Sequence, residues 1–270
     1  MALLPYPPDA DQAWANIKQT SPATSGWHVY AVQKALNDAA GKSLNPDGYF
    51  GSLTTNAVKE YQTRMDIVAD GIVGPTTKRL LAEACARRVD RTRTDLPNGL
   101  IREMARGEGG DNLSAINPYD PPGGKPGTDC GIVQIRCYEN PEGTYSLSDL
   151  QLAFSPYDAM LWAAGRFNEA KSHYLTYGWC RNNRVRAEKC ALLYHNWPVG
   201  ANDIAFEGIL SNADKDATWA LKNGTTPYIK FLDGEFVKTR RDWANFYAGI
   251  WQSAASNHQG PMAKAIQWGV

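Results

Sequence analysis

The chain of 270 residues has no charge surplus of either sign, since Lys plus Arg and Asp plus Glu each number 28. A nucleic-acid binder ordinarily carries a basic excess, so nucleic acid is not expected as a partner. Long apolar runs are also missing. No stretch approaches the roughly 20 residues that span a bilayer, so stable membrane insertion is not expected. The opening "MALLPYPPDADQ" has neither a basic n-region nor an apolar h-region, and it does not read as a secretory signal. Metal ligands are sparse. The four His are scattered (His28, His173, His195, His258) and no CxxC pair occurs. No metal or other cofactor is expected. Cysteine is scarce and odd in number: Cys85, Cys130, Cys137, Cys180 and Cys190. At least one thiol is therefore unpaired within the chain. Cys180 and Cys190 can meet if the chain folds back between them, but free buried thiols are the default for a chain made in the cytosol.

What the chain does have is material for a core. Hydrophobic residues make up 43%, with 9 Trp and 13 Tyr, which argues against disorder. The length suits two domains of ordinary size.

The first of these carries an internal echo. "DGYFGSLTTNAV" begins at Asp47 and "DGIVGPTTKRLL" at Asp70. Each has Asp-Gly, two apolar or aromatic residues, Gly, and then Thr ahead of a helical pattern. Asp-Gly marks a tight turn, because Gly tolerates positive φ. The Thr is expected as a helix N-cap. Val29, Val32 and Leu36 precede the first copy at helical spacing, and Val58, Tyr61 and Met65 follow it. About three short helices sharing one small core are predicted, since neither unit buries its apolar stripe alone. Together with "VYAVQKALN", Gln33 and Gln62, these turns resemble the peptidoglycan-binding domain of many cell-wall hydrolases. That resemblance implies binding of peptidoglycan through a shallow groove near the turns.

Residues 87–99, "RRVDRTRTDLPNG", are charged and end in Pro-Asn-Gly, as a linker does. The expected organisation is an extension over 1–26, the binding domain over 27–86, that linker, and a second domain over 100–270. In this last part helical patterns dominate. "PYDAMLWAAGRF" (156–167) starts on a Pro suited to a helix N-terminus, and "RAEKCALLYHNW" (186–197) and "TRRDWANFYAGIWQSA" (239–254) also read as helices. A small irregular or β part is expected around 128–136.

Two acids in this second domain form the candidate site. "LIREMARG" (100–107) fits a helix that Gly109-Gly110 ends, so Glu108 sits at a helix C-terminus. The helix dipole disfavours an ionised carboxyl there. A structural protein would place Lys or Arg at that spot, whereas a general acid needs a carboxyl that keeps its proton. Glu103, in mid-helix, faces another side. Asp129 opens "DCGIVQI", at the lip of a short, half-buried strand. It lies 129 − 108 = 21 positions on, across a Gly/Pro-rich loop. Such a loop can bring both carboxyls to one cleft, and two carboxyls in unlike environments are the working pair of most glycosidases. Asp before a small residue and Gly is also ordinary turn chemistry. Glu139 and Glu142 are the reserve candidates for the second acid.

"TDCGIVQI" resembles the strand of animal-type lysozymes that carries their catalytic Asp. "GEGGDNLSAIN" resembles the Glu-bearing helix end of lysozymes and soluble lytic transglycosylases, and "AEKCALLYHNWPVGANDIA" the transglycosylase segment with its Tyr and Asn. The likeness implies catalytic Glu108 and Asp129, with Gln134, Tyr194 and Asn196 toward substrate. Each has a plainer alternative. Gln134 can satisfy backbone groups, Tyr194 can pack, and Asn196 can make a turn. The chain departs from the transglycosylase pattern at Gly109, where Ser is usual. Asp129 fits lysozymes better than that family's lone carboxyl.

The expected fold class is mainly α, a three-helix binding domain plus an α+β lysozyme-like domain dominated by helices. The expected function is a monomeric muramidase that acts on peptidoglycan glycan strands. It would cut the β-1,4 bond between N-acetylmuramic acid and N-acetylglucosamine. The arrangement resembles bacteriophage endolysins, which implies synthesis in a host cytoplasm and action on the wall once the membrane is permeabilised. A bacterial autolysin is the rival source. A lytic transglycosylase forming 1,6-anhydro ends, a chitinase-like glycosidase and a non-catalytic wall-binding virion protein are the alternatives.

Overall fold

A computed structural model describes residues 16–96, 99–119, 127–138, 145–176, 180–184, 187–188 and 191. Three helices come first: α1 (Trp27–Ala40), α2 (Ser52–Arg64) and α3 (Pro75–Thr92). Then follow α4 (Leu100–Gly109) and the strands β1 (Ile116–Tyr119), β2 (Gly127–Cys130) and β3 (Ile135–Tyr138). Helices α5 (Leu147–Ala153) and α6 (Pro156–Tyr174) close the sequence of named elements. The strands form one antiparallel sheet in the order β1-β2-β3. The protein is thus mainly helical with a small sheet, as the pattern along the chain predicts. It divides into two compact units, Met1–Ala163 and Ala164–Val270.

The doubled turn is built by two glutamines. Gln33 Nε2 donates to Asp47 Oδ1 at 2.9 Å, to the Tyr49 carbonyl at 3.1 Å and to Thr54 Oγ1 at 3.2 Å. Its Oε1 accepts from the Gly48 amide at 2.9 Å. Gln62 repeats the set on Asp70, Ile72 and Thr77 at 2.9, 2.9 and 3.3 Å, and accepts from Gly71 at 2.8 Å. Both glutamines are buried, so the four bonds satisfy side-chain amides that water does not reach. The threonines expected as N-caps have this other task. Helices α2 and α3 start on Gly51 and Gly74 in extended conformation, without a side-chain cap. Thr54 and Thr77 lie inside the first turn, where the Gln amide takes their hydroxyls. Around this scaffold Val29, Val32, Leu36, Phe50, Val58, Tyr61, Val73 and Leu81 make the apolar core. Met65 terminates α2 and stays outside that core.

The first half of the expected linker is helix instead. Helix α3 continues through Arg87 to Thr92, with Val89 fully buried. Arg87, Arg88 and Asp90 of this stretch have partners. Arg88 donates to the Asp38 carbonyl at 2.6 Å and sits 4.3 Å above the Tyr157 ring. Lys34 pairs with Asp158 at 3.2 Å, and Trp27 stacks on Phe154 at 5.3 Å. The start of α6 therefore packs on α1 and α3, and the first compact unit includes it. A sequence window sees charge and Pro-Asn-Gly, while the periodic Ala82, Cys85, Ala86 and Val89 carry the helix on.

Helix α6 begins at Pro156 as expected and runs past the predicted end to Tyr174. Of the segment 186–197, Ala187, Glu188 and Ala191 are helical, and the rest lies outside the described residues, as does 239–254. Cys85, Cys130 and Cys137 are buried free thiols, and Cys180 is buried. No helix among the described residues is long and apolar enough to cross a membrane.

Candidate active site

Helix α4 ends where the glycines say it must. Gly110 takes φ 59°, in the left-handed region, and its amide donates to the Arg106 carbonyl at 3.1 Å. This is the usual way a helix closes on glycine. Glu108 thus occupies the last turn and is half-buried. The next residue explains the departure from the Ser of the resembling family. A Cβ on Gly109 would stand 2.6 Å from the Ile132 carbonyl oxygen. No side chain fits, because the helix end presses on the backbone of the turn between β2 and β3.

That turn corrects one reading of the sequence. Ile132 and Val133 are apolar and buried, yet they are not strand. Residues 131–134 form a tight turn, with Gly131 at φ 75° and Gln134 at φ 52°. The Gln134 amide donates back to the Gly131 carbonyl at 3.2 Å. A Cβ on Gly131 would overlap the Ala153 carbonyl at the end of α5. The turn is therefore wedged between the ends of α4 and α5. Its apolar residues are buried by that wedge, not by strand alternation.

Asp129 is consequently not at a lip. It sits within β2, with Asn117 as its register partner on β1 and Arg136 on β3. The Arg136 guanidinium grips its carboxylate with two parallel hydrogen bonds, Nε to Oδ1 and Nη2 to Oδ2, the latter 2.8 Å. Such a fork fixes the orientation of the carboxylate. Arg136 was not singled out from the sequence. The signal is the hairpin register: once the turn is known to span 131–134, 130 pairs with 135 and hence 129 with 136.

Gln134 takes the plainer of its two readings. Its Nε2 donates to the carbonyls of Gly131 at 2.7 Å and Ala115 at 3.4 Å, and its Oε1 accepts from Asn117. The side chain holds the turn to β1. The structure thus brings the Glu108 helix end against the turn that follows Asp129, with Gln134 closing that turn. Tyr194 and Asn196 lie outside the described residues, as do Glu139 and Glu142. Among the described residues no group of three or more His, Cys, Asp or Glu is arranged to hold a metal ion.

Residues 25–81 match the family model described as "Putative peptidoglycan binding domain". The doubled glutamine turn belongs to a peptidoglycan-binding domain. The chain is also similar to two curated proteins of Bacillus licheniformis. One is named a probable N-acetylmuramoyl-L-alanine amidase, 40% identical over 82 residues, which are 29% of this chain and 23% of that protein. The other, the N-acetylmuramoyl-L-alanine amidase CwlL, is 40% identical over 70 residues, 24% of this chain and 19% of that protein. The chain spans under a quarter of the length of either relative.

Proposed function

We propose that the chain is a peptidoglycan-degrading enzyme that cuts the β-1,4 bond between N-acetylmuramic acid and N-acetylglucosamine, with Glu108 as general acid. One observation carries this reading. A half-buried carboxyl closes a helix whose next residue rests on the turn after Asp129. Glu108 donates its proton to the glycosidic oxygen as the bond breaks, and positive charge builds on the N-acetylmuramic acid ring. Asp129, gripped by Arg136, is a poor covalent nucleophile, because the guanidinium neutralises the charge that an attack needs. It acts by field and by orientation of the attacking group. That group is either water, giving a reducing end, or the sugar's own 6-hydroxyl, giving a 1,6-anhydro end. The peptidoglycan-binding domain raises the local concentration of the cutting site at the polymer. Release of a bacteriophage from its host is the setting that the arrangement suggests.

The names of the two relatives favour a second reading, cleavage of the amide between N-acetylmuramic acid and L-alanine. An alignment of 82 residues is 82 − 57 = 25 residues longer than the binding domain, which has 81 − 25 + 1 = 57. A shared binding domain would by itself cover more than half of such an alignment. One digest separates the readings. Purified sacculi are treated with the full chain and the products are weighed. Glycan cleavage gives disaccharide muropeptides with peptides attached, whose reducing and anhydro ends differ by one water. Amide cleavage gives free alanine amino termini and intact glycan. Glu108→Gln is expected to lower turnover at least about a hundredfold, the order that a general acid contributes. Free alanine termini, or a Gln variant that still clears walls at the parent rate, would sink the proposal.

A further inference from the structure

Arg102, on the first turn of α4, lies between two carboxylates that the reaction proposed above does not use. Its Nη2 donates to Glu83 Oε1 on α3 at 3.4 Å. Its Nη1 makes a charge contact with Asp111 Oδ1 at 2.5 Å, without the alignment of a hydrogen bond. The Arg102 and Asp111 side chains retain only 13% and 17% of their exposure, so the pair is shielded enough to matter. Asp111 is the third residue after Glu108. It holds φ 67°, a left-handed conformation that few residues other than Gly, Asn and Asp accept. From Arg102 to Gly109 the helix rises about 10 Å. The chain must therefore fold back beyond Gly109 for Asp111 to reach the guanidinium. Two amides record that reversal: Gly110 to Arg106 at 3.1 Å and Asn112 to Gly109 at 2.9 Å. At the other end, Glu83 is anchored on its own helix by Arg79 at 2.8 Å.

We infer that Arg102 is a positioning residue, which fixes the helix end bearing Glu108 and ties it to the last helix of the peptidoglycan-binding domain. The inference rests on Glu108 being the acid. The three side chains form one chain of charge, Glu83–Arg102–Asp111, across the join between the domain that holds the polymer and the turn that presents the acid. Burial opposes the charge of Glu83, but the hydrogen bonds and charges of Arg79 and Arg102 hold its carboxyl below the ordinary range. It stays an anion for Arg102 at neutral pH.

The test uses the full chain and two readouts. Arg102→Met removes the charge and keeps most of the stem. Asp111→Asn removes the other charge and keeps a side chain that tolerates the left-handed turn. Both variants are expected to lower kcat on soluble glycan fragments by on the order of tenfold to a hundredfold, as misplacement of a catalytic group does. KM should change little, and Arg102→Lys should recover part of the loss. The Gly110 and Asn112 amides should exchange hydrogen faster in both variants, an effect independent of chemistry. Unchanged exchange and kcat in Asp111→Asn would overturn the inference, because the turn alone would then suffice. Faster exchange with unchanged kcat would overturn it as well, while Glu108→Gln still abolishes turnover. An active Glu108→Gln variant would instead remove the catalytic reading and leave the exchange result to judge the clamp.

Discussion

Two kinds of turn in this chain are closed by a buried or half-buried glutamine, and they are held in different ways. In the peptidoglycan-binding domain, Gln33 and Gln62 reach turns that lie 14 and 8 residues away. Every partner is a group of the repeat itself. In the second, Gln134 sits inside its own turn, and the strongest constraints come from the ends of α4 and α5. The first kind of turn is local and was therefore copied whole within the chain. The second is a wedge, specified by backbone that approaches from elsewhere. A local turn tolerates independent change, whereas a wedged turn transmits any change to the helix end that carries Glu108.

The largest effect on stability should come from breaking the wedge. Gly131→Ala forces a Cβ into the Ala153 carbonyl and a side chain into positive φ. Neither obstacle can move, since one is backbone and the other is the turn itself. The expected cost exceeds about 3 kcal/mol, at the upper end of what overpacking and strain produce. Gly41→Ala is the control. It has φ 67° but nothing within 4 Å of the added Cβ. Its cost should be about 1 kcal/mol, the left-handed penalty alone. Urea unfolding of both variants checks this. Equal losses would mean that Ala153 gives way and the turn is no wedge.

A middle-sized effect should follow from removing either glutamine. Gln62→Leu leaves the Gly71 amide and the Ile72 carbonyl without their side-chain partner, at roughly 2–4 kcal/mol for the pair. Gln33→Leu should cost the same within about 1 kcal/mol, because its bonds are the same set within a few tenths of an ångström. Both should weaken sedimentation with sacculi. A large inequality between them would show that the two copies, alike in hydrogen bonding, are not alike in packing.

The two regions also differ in how far they could be read from the sequence. The duplicated Asp-Gly-x-x-Gly pattern names its own turns, and the 3.6-residue spacing of Val29, Val32 and Leu36 names α1. Only the task of the threonines escaped, because a Thr near a helix start looks like a cap whatever its hydroxyl touches. In the second region Glu108 was legible from the glycines after it. The turn over 131–134 was not, since buried Ile132 and Val133 imitate a strand when the wedge is unseen. Nor was the grip of Arg136 on Asp129, which appears only once the hairpin register is known. The continuation of α3 beyond Arg87 was hidden by surface charge whose partners, Asp38 and Tyr157, are far away in sequence.

The smallest effect sharpens the comparison between the two copies themselves. Thr55 of the first copy corresponds to Lys78 of the second, and Lys78 is buried, 6% exposed. Burial lowers its pKa from 10.5 to about 8. Below pH 8 the folded and unfolded states both hold the proton, and the fold keeps an ammonium at a buried site. Between pH 8 and 10.5 the unfolded state holds more protons than the folded one, so this residue's contribution to stability rises with pH. Other groups oppose it there. Burial pushes the Cys85 thiol up, and it pushes Tyr61 up to about 12, so both favour the unfolded state as alkali ionises it. The clean observable is a difference. Lys78→Met keeps the stem and removes the charge, and the cysteine and tyrosine terms cancel between the two proteins. The variant should melt a few degrees higher at pH 7, a shift of the size that about 1 kcal/mol produces. That advantage should shrink steadily between pH 8 and 10.5. An advantage that stays constant over this range would mean that Lys78 keeps its proton in the fold, held by a partner strong enough to offset its burial.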